Sequence, residues 1–134
     1  MNFAIAVSLV SVLLGACAAT SHPLSVPLGA DSEAVTHNRE GIEYYQQGQW
    51  EKAKEHFEDA IMVDSALAEP HYNLALTLDQ LGSHTAATMH FKQAAALAPT
   101  NTAITESRAY TSHVESQPPS RRVFGSSHGG VGGY

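Results

Sequence analysis

The side chains of this chain that could do chemistry are one cysteine, Cys17, and eight histidines. A single thiol cannot close an intrachain disulfide, and it leaves no paired-cysteine zinc site. His84 and His90 are six residues apart, which places them on different faces of a helix. The chain also has no glycine-rich phosphate loop. We therefore predict that the protein is not an enzyme and that it holds no metal ion and no cofactor.

The charge of the chain limits its classes of partner. The 134 residues carry a formal net charge of −6, and Arg121 and Arg122 are the only adjacent basic residues. Binding to a phosphate backbone needs clustered lysine and arginine. The composition therefore predicts one small domain with flanking segments and no nucleic-acid partner.

Cys17 lies directly after an uncharged apolar segment. Phe3 to Leu14 has the length of the apolar region of a signal peptide and is short for a membrane span. Leu14-Gly15-Ala16-Cys17 resembles a bacterial lipobox. The resemblance implies a lipoprotein signal peptide over 1–16, cleavage before Cys17, and lipidation (palmitate among the acyl chains) of this cysteine. The alternative is an ordinary signal peptide or an uncleaved anchor in which the cysteine is incidental.

The residue after the cysteine bears on localisation. Several acyl chains would anchor a protein stably in a membrane. Ala18 stands where the enterobacterial sorting pattern would need aspartate for retention at the inner membrane. By this resemblance we expect the outer membrane, on its periplasmic side; secretion and inner-membrane anchoring are the alternatives.

Two segments lack helical periodicity. Residues 17–32 contain Pro23, Pro27 and Gly29, and we predict a flexible tether there. Pro118 and Pro119 end any helix, and the Gly/Ser-rich residues 117–134 are predicted to be a disordered tail.

Between these segments the chain repeats itself at an offset of 34 residues. Gly41 corresponds to Ala75, and Phe57 corresponds to Phe91. The repeated small residues predict close crossings of two helices, and the repeated phenylalanines fill the space beside them. This predicts two helical hairpins, over 34–67 and 68–101.

The segments Gly41 to Ala53 and Ala75 to Ala87, with Phe91, Ala94 and Pro99 after them, resemble the tetratricopeptide repeat (TPR). The resemblance implies an all-α fold: an α-solenoid of two TPR hairpins and a capping helix over 101–115, in a domain spanning 33–116.

The TPR resemblance also implies a binding surface, because the first helix of each hairpin lines the concave face of the solenoid. Asn73 is its strongest candidate, since an amide can both donate to and accept from a peptide backbone. The full set of predicted groove residues is Val35, Asn38, Arg39, Ile42, Tyr45, Gln46, Glu69, Tyr72, Asn73, Leu76, Asp79 and Gln80.

Taken together, these features predict a membrane-anchored adaptor of the bacterial cell envelope that binds a protein or peptide in the TPR groove. Two hairpins are fewer than the three repeats or so that a stable stack usually needs, so a self-associating structural TPR protein is an alternative. A pilotin-like factor that assists assembly of an envelope complex is another.

Overall fold

The computed structural model describes residues 21–115. The signal peptide predicted for 1–16, Cys17 and the tail predicted for 117–134 lie outside the described residues. Six helices follow one another: α1 Ser32–Gln46, α2 Trp50–Val63, α3 Ala68–Gln80, α4 His84–Leu97, α5 Thr102–Thr105 and α6 Arg108–Val114. Each of the first four helices packs against the next, and α6 packs on α4. The predicted all-α solenoid is confirmed.

The two hairpins turn in the same way because each has a glycine at the same repeat position. Gly48 and Gly82 have φ angles of +71° and +75°, in the left-handed region that residues with a Cβ rarely adopt. In each turn this glycine and the next residue donate their N–H groups to carbonyls of the preceding helix, which closes the helix end.

The helices of each hairpin cross closely at small residues. Gly41, Ala53 and Ala60 of the first hairpin are buried, as are Ala75, Ala87 and Ala94 of the second. Phe57 and Phe91 are both fully buried beside them. A Cβ added at Gly41 would lie only 2.6 Å from Cε1 of Phe57, so α1 approaches α2 more closely than a side chain there would allow.

The predicted single capping helix over 101–115 is wrong in detail, because two short helices replace it. Asn101 caps α5 by accepting a hydrogen bond from the N–H of Ala103. Ser107 starts α6 by accepting one from Tyr110. The chain therefore breaks at Glu106–Ser107, while Ile104 stays fully buried and holds the cap on the core.

The structure also differs from the flexible tether predicted for 17–32. Residues 21–28, called the strap below, have no helix or strand but lie against the helices. The chain then turns at Gly29, whose φ is +100°, and α1 begins at Ser32 after its N-cap Asp31. The strap is held by hydrogen bonds to residues as many as 88 positions away, a separation at which local sequence pattern carries no information.

Within residues 21–115, no helix combines the length and apolarity needed to cross a membrane.

Candidate functional site

Four of the six predicted groove residues of α3 are covered. Glu69, Tyr72, Asn73 and Leu76 are all buried, and burial is unbroken from Ala68 to Leu78. The other hairpin helices bury only three or four residues each. A helix buried on every side has no face open to solvent, and the strap is what covers α3 on the concave side.

Asn73 holds the backbone of Leu24 by both of its polar atoms. Its Oδ1 accepts from the N–H of Leu24 at 2.6 Å, and its Nδ2 donates to the carbonyl of Leu24 at 2.7 Å. This is the pairing that a neighbouring β-strand would supply, delivered here by one side chain. Because the N–H of Leu24 can only donate, the orientation of the Asn73 amide is determined.

Asn38 completes the arrangement from the first repeat. Its Nδ2 donates to the same carbonyl of Leu24 at 3.0 Å, and its Oδ1 accepts the second proton of Asn73 at 2.8 Å. Asn38 and Asn73 are 1% and 0% exposed. We call these two residues the asparagine clamp; it satisfies both polar groups of one backbone residue in a buried setting, where unpaired groups are costly.

The strap runs along the groove in the direction opposite to α3. At its start, the hydroxyl of Ser21 accepts from the N–H of Ala109, one of the unpaired donors in the first turn of α6, at 3.0 Å. Ser21 borders a cavity together with Leu76 and Asp79, near the end of α3. Leu28 borders another cavity with Ala68, at the beginning of α3.

The strap does not fill the concave side completely. A cavity of about 470 Å³ lies beside Leu24, between Tyr72 and the cap residues Ala103 and Arg108. That cap residues line this cavity was not predicted from the sequence, because their position follows from the break between α5 and α6.

The remaining predicted residues are placed at the edges of the groove. Val35, Ile42 and Tyr45 are half-buried, and Gln46 and Gln80 are exposed. Arg39 is exposed and pairs with Glu43 at 3.2 Å. Burial, with the negative charge of Asp79 and the neighbouring Tyr72, raises the pKa of Tyr45, so its hydroxyl stays a hydrogen-bond donor.

Two groups of histidines and aspartates come together that sequence spacing did not indicate. Asp79, His84 and His113 belong to α3, α4 and α6, and their potential ligand atoms lie within 4.8 Å of one another. Oδ1 of Asp79 lies 2.8 Å from Nδ1 of His84 and 2.9 Å from Nε2 of His113. His113 also directs Nδ1 to the carbonyl of Ala109 at 3.0 Å, so both of its ring nitrogens lie close to oxygen atoms.

The second group lies in the first hairpin and consists of His37, His56 and Asp59. Nitrogen and carboxylate donors of this kind are the ligands that zinc takes, so both groups could hold a metal ion. The sequence prediction of no metal site stays a prediction. The clusters were missed because each unites residues of different helices.

A third histidine pair lies in the second hairpin. The rings of His71 and His90 stack with centroids 5.4 Å apart, and their Nδ1 atoms are 3.1 Å apart. Burial lowers the pKa of both histidines, and the neighbouring His71 lowers that of His90 further. The pair therefore packs between α3 and α4.

Comparison with known families addresses the hairpins directly. The family described as TPR repeat matches residues 41–82, and the family described as tetratricopeptide repeat matches residues 68–101. No curated protein gives a match to the chain. The matched residues cover α2, α3, α4 and the part of α1 that crosses Phe57. The two helical hairpins of this chain are therefore tetratricopeptide repeats, a fold that serves as a protein-interaction module.

Proposed function

We propose that this protein is a membrane-anchored adaptor of the bacterial cell envelope, which binds an extended segment of a partner protein in its TPR groove. The observation that carries the proposal is the asparagine clamp. Asn73 pairs with the N–H and the carbonyl of one residue, so it recognises an extended backbone through main-chain groups. Such pairing is how strand-like peptides are bound by other recognition modules.

The anchor is proposed from the sequence alone. Leu14-Gly15-Ala16-Cys17 resembles a lipobox, and lipid on Cys17 would hold the domain at the periplasmic face of the outer membrane. Tethering to a surface raises the effective concentration of the groove for partners at that surface.

Site-specific photocrosslinking in cells tests the groove. Gln80 is exposed and borders the cavity next to Ser21, so a photoreactive residue there faces any segment that enters the groove. Gln93 is an exposed position of α4 and serves as the matched control. We expect an intermolecular adduct from position 80 that is absent from position 93. The same adducts from both positions, or none from position 80, would contradict a groove partner.

Two substitutions test separately the lipid anchor and the membrane to which the lipoprotein is sorted. Cys17→Ser should abolish incorporation of labelled palmitate and release the protein from the membrane fraction. Ala18→Asp keeps the thiol and should move the lipidated protein to the inner membrane of a Gram-negative host. If Cys17→Ser still fractionates with membranes like the wild type, the lipid anchor is wrong.

A further inference from the structure

We propose that the strap is an intramolecular ligand of the groove, and that a partner binds by displacing it with an extended segment of the same kind: an apolar residue flanked by proline. This inference rests on the proposed function of the groove and names both its ligand class and its regulation.

The strap is bound as a peptide ligand would be. Its residues 21–27 form no helix or strand, and Pro23 and Pro27 restrict the backbone to extended conformations. The clamp holds the backbone of Leu24, and the side chain of Leu24 packs against the hydrophobic core. Ser25 and Leu28, in contrast, are exposed.

The contacts define what a competing segment must offer. The residue in the clamp must donate an N–H to Asn73, which excludes proline at that position. It must also carry an apolar side chain to replace that of Leu24 in the core. Proline is accepted immediately before it and three residues after it, where Pro23 and Pro27 stand.

The strap and a partner cannot be bound at the same time. Asn73 is fully buried, and its oxygen and both amide protons are already in hydrogen bonds to Leu24 and Asn38. A second backbone has no free group of the clamp to pair with. Because the strap is part of the same chain, it competes at the high effective concentration of a short linker, in the millimolar range.

Displacement also changes the length of the tether. Ser21, at the bound end of the strap, is only four positions after Cys17 in the chain, a reach of at most about 14 Å. Once the strap leaves the groove, the first fixed residue is Ser32 at the start of α1, fifteen positions after Cys17, a reach of up to about 50 Å. Partner binding therefore releases the domain from the membrane surface to which Cys17 would anchor it.

The test measures the affinity of the groove for the strap sequence itself. The probe is a fluorescent peptide of sequence Ser-His-Pro-Leu-Ser-Val-Pro-Leu-Gly, residues 21–29, titrated with the full chain in mild detergent and followed by anisotropy.

Leu24→Pro removes the N–H that donates to Asn73 and should empty the groove, so we expect the peptide to bind this variant at least tenfold more tightly than wild type. Ser25→Pro is the control, because the N–H of Ser25 makes no hydrogen bond within residues 21–115; it should bind the peptide like wild type. Adding Asn73→Ala to Leu24→Pro should abolish the binding.

Equal binding to wild type and Leu24→Pro, with helical circular dichroism intact, would overturn the inference. A wild-type dimer that dissociates in Leu24→Pro would also overturn it, because the strap would then fill the groove of a second copy. Neither result depends on the crosslink from position 80, so failure of the strap and failure of the adaptor are distinguishable.

A second variant keeps the test decisive if Leu24→Pro does not fold. The hydrogen bond from Ala109 to Ser21 keeps the two Cα atoms within about 7 Å, the limit for a disulfide. Oxidised Ser21→Cys/Ala109→Cys should lock the strap and abolish the partner adduct from position 80, and reductant should restore it. An adduct that forms equally in the locked protein would contradict displacement.

Discussion

Replacing Gly41 by alanine should destabilise the domain, although alanine is the better helix former. The added Cβ would lie 2.6 Å from Cε1 and 2.7 Å from Cδ1 of Phe57, well inside ordinary contact distance. Phe57 is fully buried, so its ring has no solvent-facing position to move to. Overpacking of this kind costs about 1–3 kcal/mol, and the helix propensity of alanine returns about 1 kcal/mol. We expect the free energy of unfolding to fall by about 1 kcal/mol.

Urea unfolding followed by circular dichroism measures this change, and a double-mutant cycle tests its cause. Leucine at position 57 has no atoms equivalent to Cε1 and Cζ, and its δ carbons can change rotamer, so in a Phe57→Leu background Gly41→Ala should cost less stability than in wild type. The second repeat offers a matched position, since Ala75 is fully buried where the first repeat has Gly41. Ala75→Gly should lower stability by about 1–2 kcal/mol through lost propensity and a lost buried methyl group. A Gly41→Ala effect that is the same with phenylalanine or leucine at position 57 would refute the steric argument.

The remaining two predictions concern pH and helix capping. Burial lowers the pKa of His71 and His90 in the folded protein. As pH falls below about 6.5, the unfolded chain therefore binds more protons at these two residues than the folded chain does. Their contribution to stability is complete above that pH and is lost as pH falls toward the lowered pKa values. His90→Gln removes one of these groups. The free energy of unfolding should therefore fall less in this variant than in wild type between about pH 7.5 and about pH 5, a range that spans histidine titration. An equal fall in both proteins would show that the histidine pair does not carry the effect. Asp31 caps α1 by accepting from the N–H of Glu33 at 2.8 Å, so Asp31→Ala should lower stability by about 1 kcal/mol in urea unfolding. Asp31→Asn keeps an acceptor and should stay within a few tenths of a kcal/mol of wild type; equal losses in both variants would point to the charge instead of the cap.

Much of the hairpin architecture could be predicted because it depends on local sequence patterns that occur twice in the chain. Gly48 and Gly82 mark the turns by their left-handed backbone, and Gly41 and Ala75 mark the crossings. Residues three and four apart share a helix face, so each stripe predicts which side packs. The break at Ser107 was not predicted. A serine hydroxyl can either cap a new helix, as it does here, or lie within a continuous one, and the sequence pattern does not distinguish the two.

The chemistry of one candidate residue could be predicted, but its occupant could not. Asn73 was predicted to pair with the backbone of a partner peptide, and in the structure it pairs with the backbone of Leu24 in the same chain. The strap itself was expected to be flexible, since Pro23, Pro27 and Gly29 are typical of linkers. Composition indicates how a segment behaves in water. It does not indicate whether a groove elsewhere in the fold offers that segment hydrogen bonds and apolar contacts in place of water.

By itself, then, the sequence determined the repeat, its turns and the chemistry available on its concave face. These depend on contacts within a helix or between neighbouring helices, which the 34-residue offset encodes directly. Only the tertiary structure decided that the groove is occupied and that Asp79, His84 and His113 meet. Both outcomes bring together groups that are far apart in the chain: His84 and His113 are 29 residues apart, and Leu24 and Asn73 are 49 residues apart. Such groups meet only through the packing of the helices, and their polar atoms pair with the partners that this packing brings within reach.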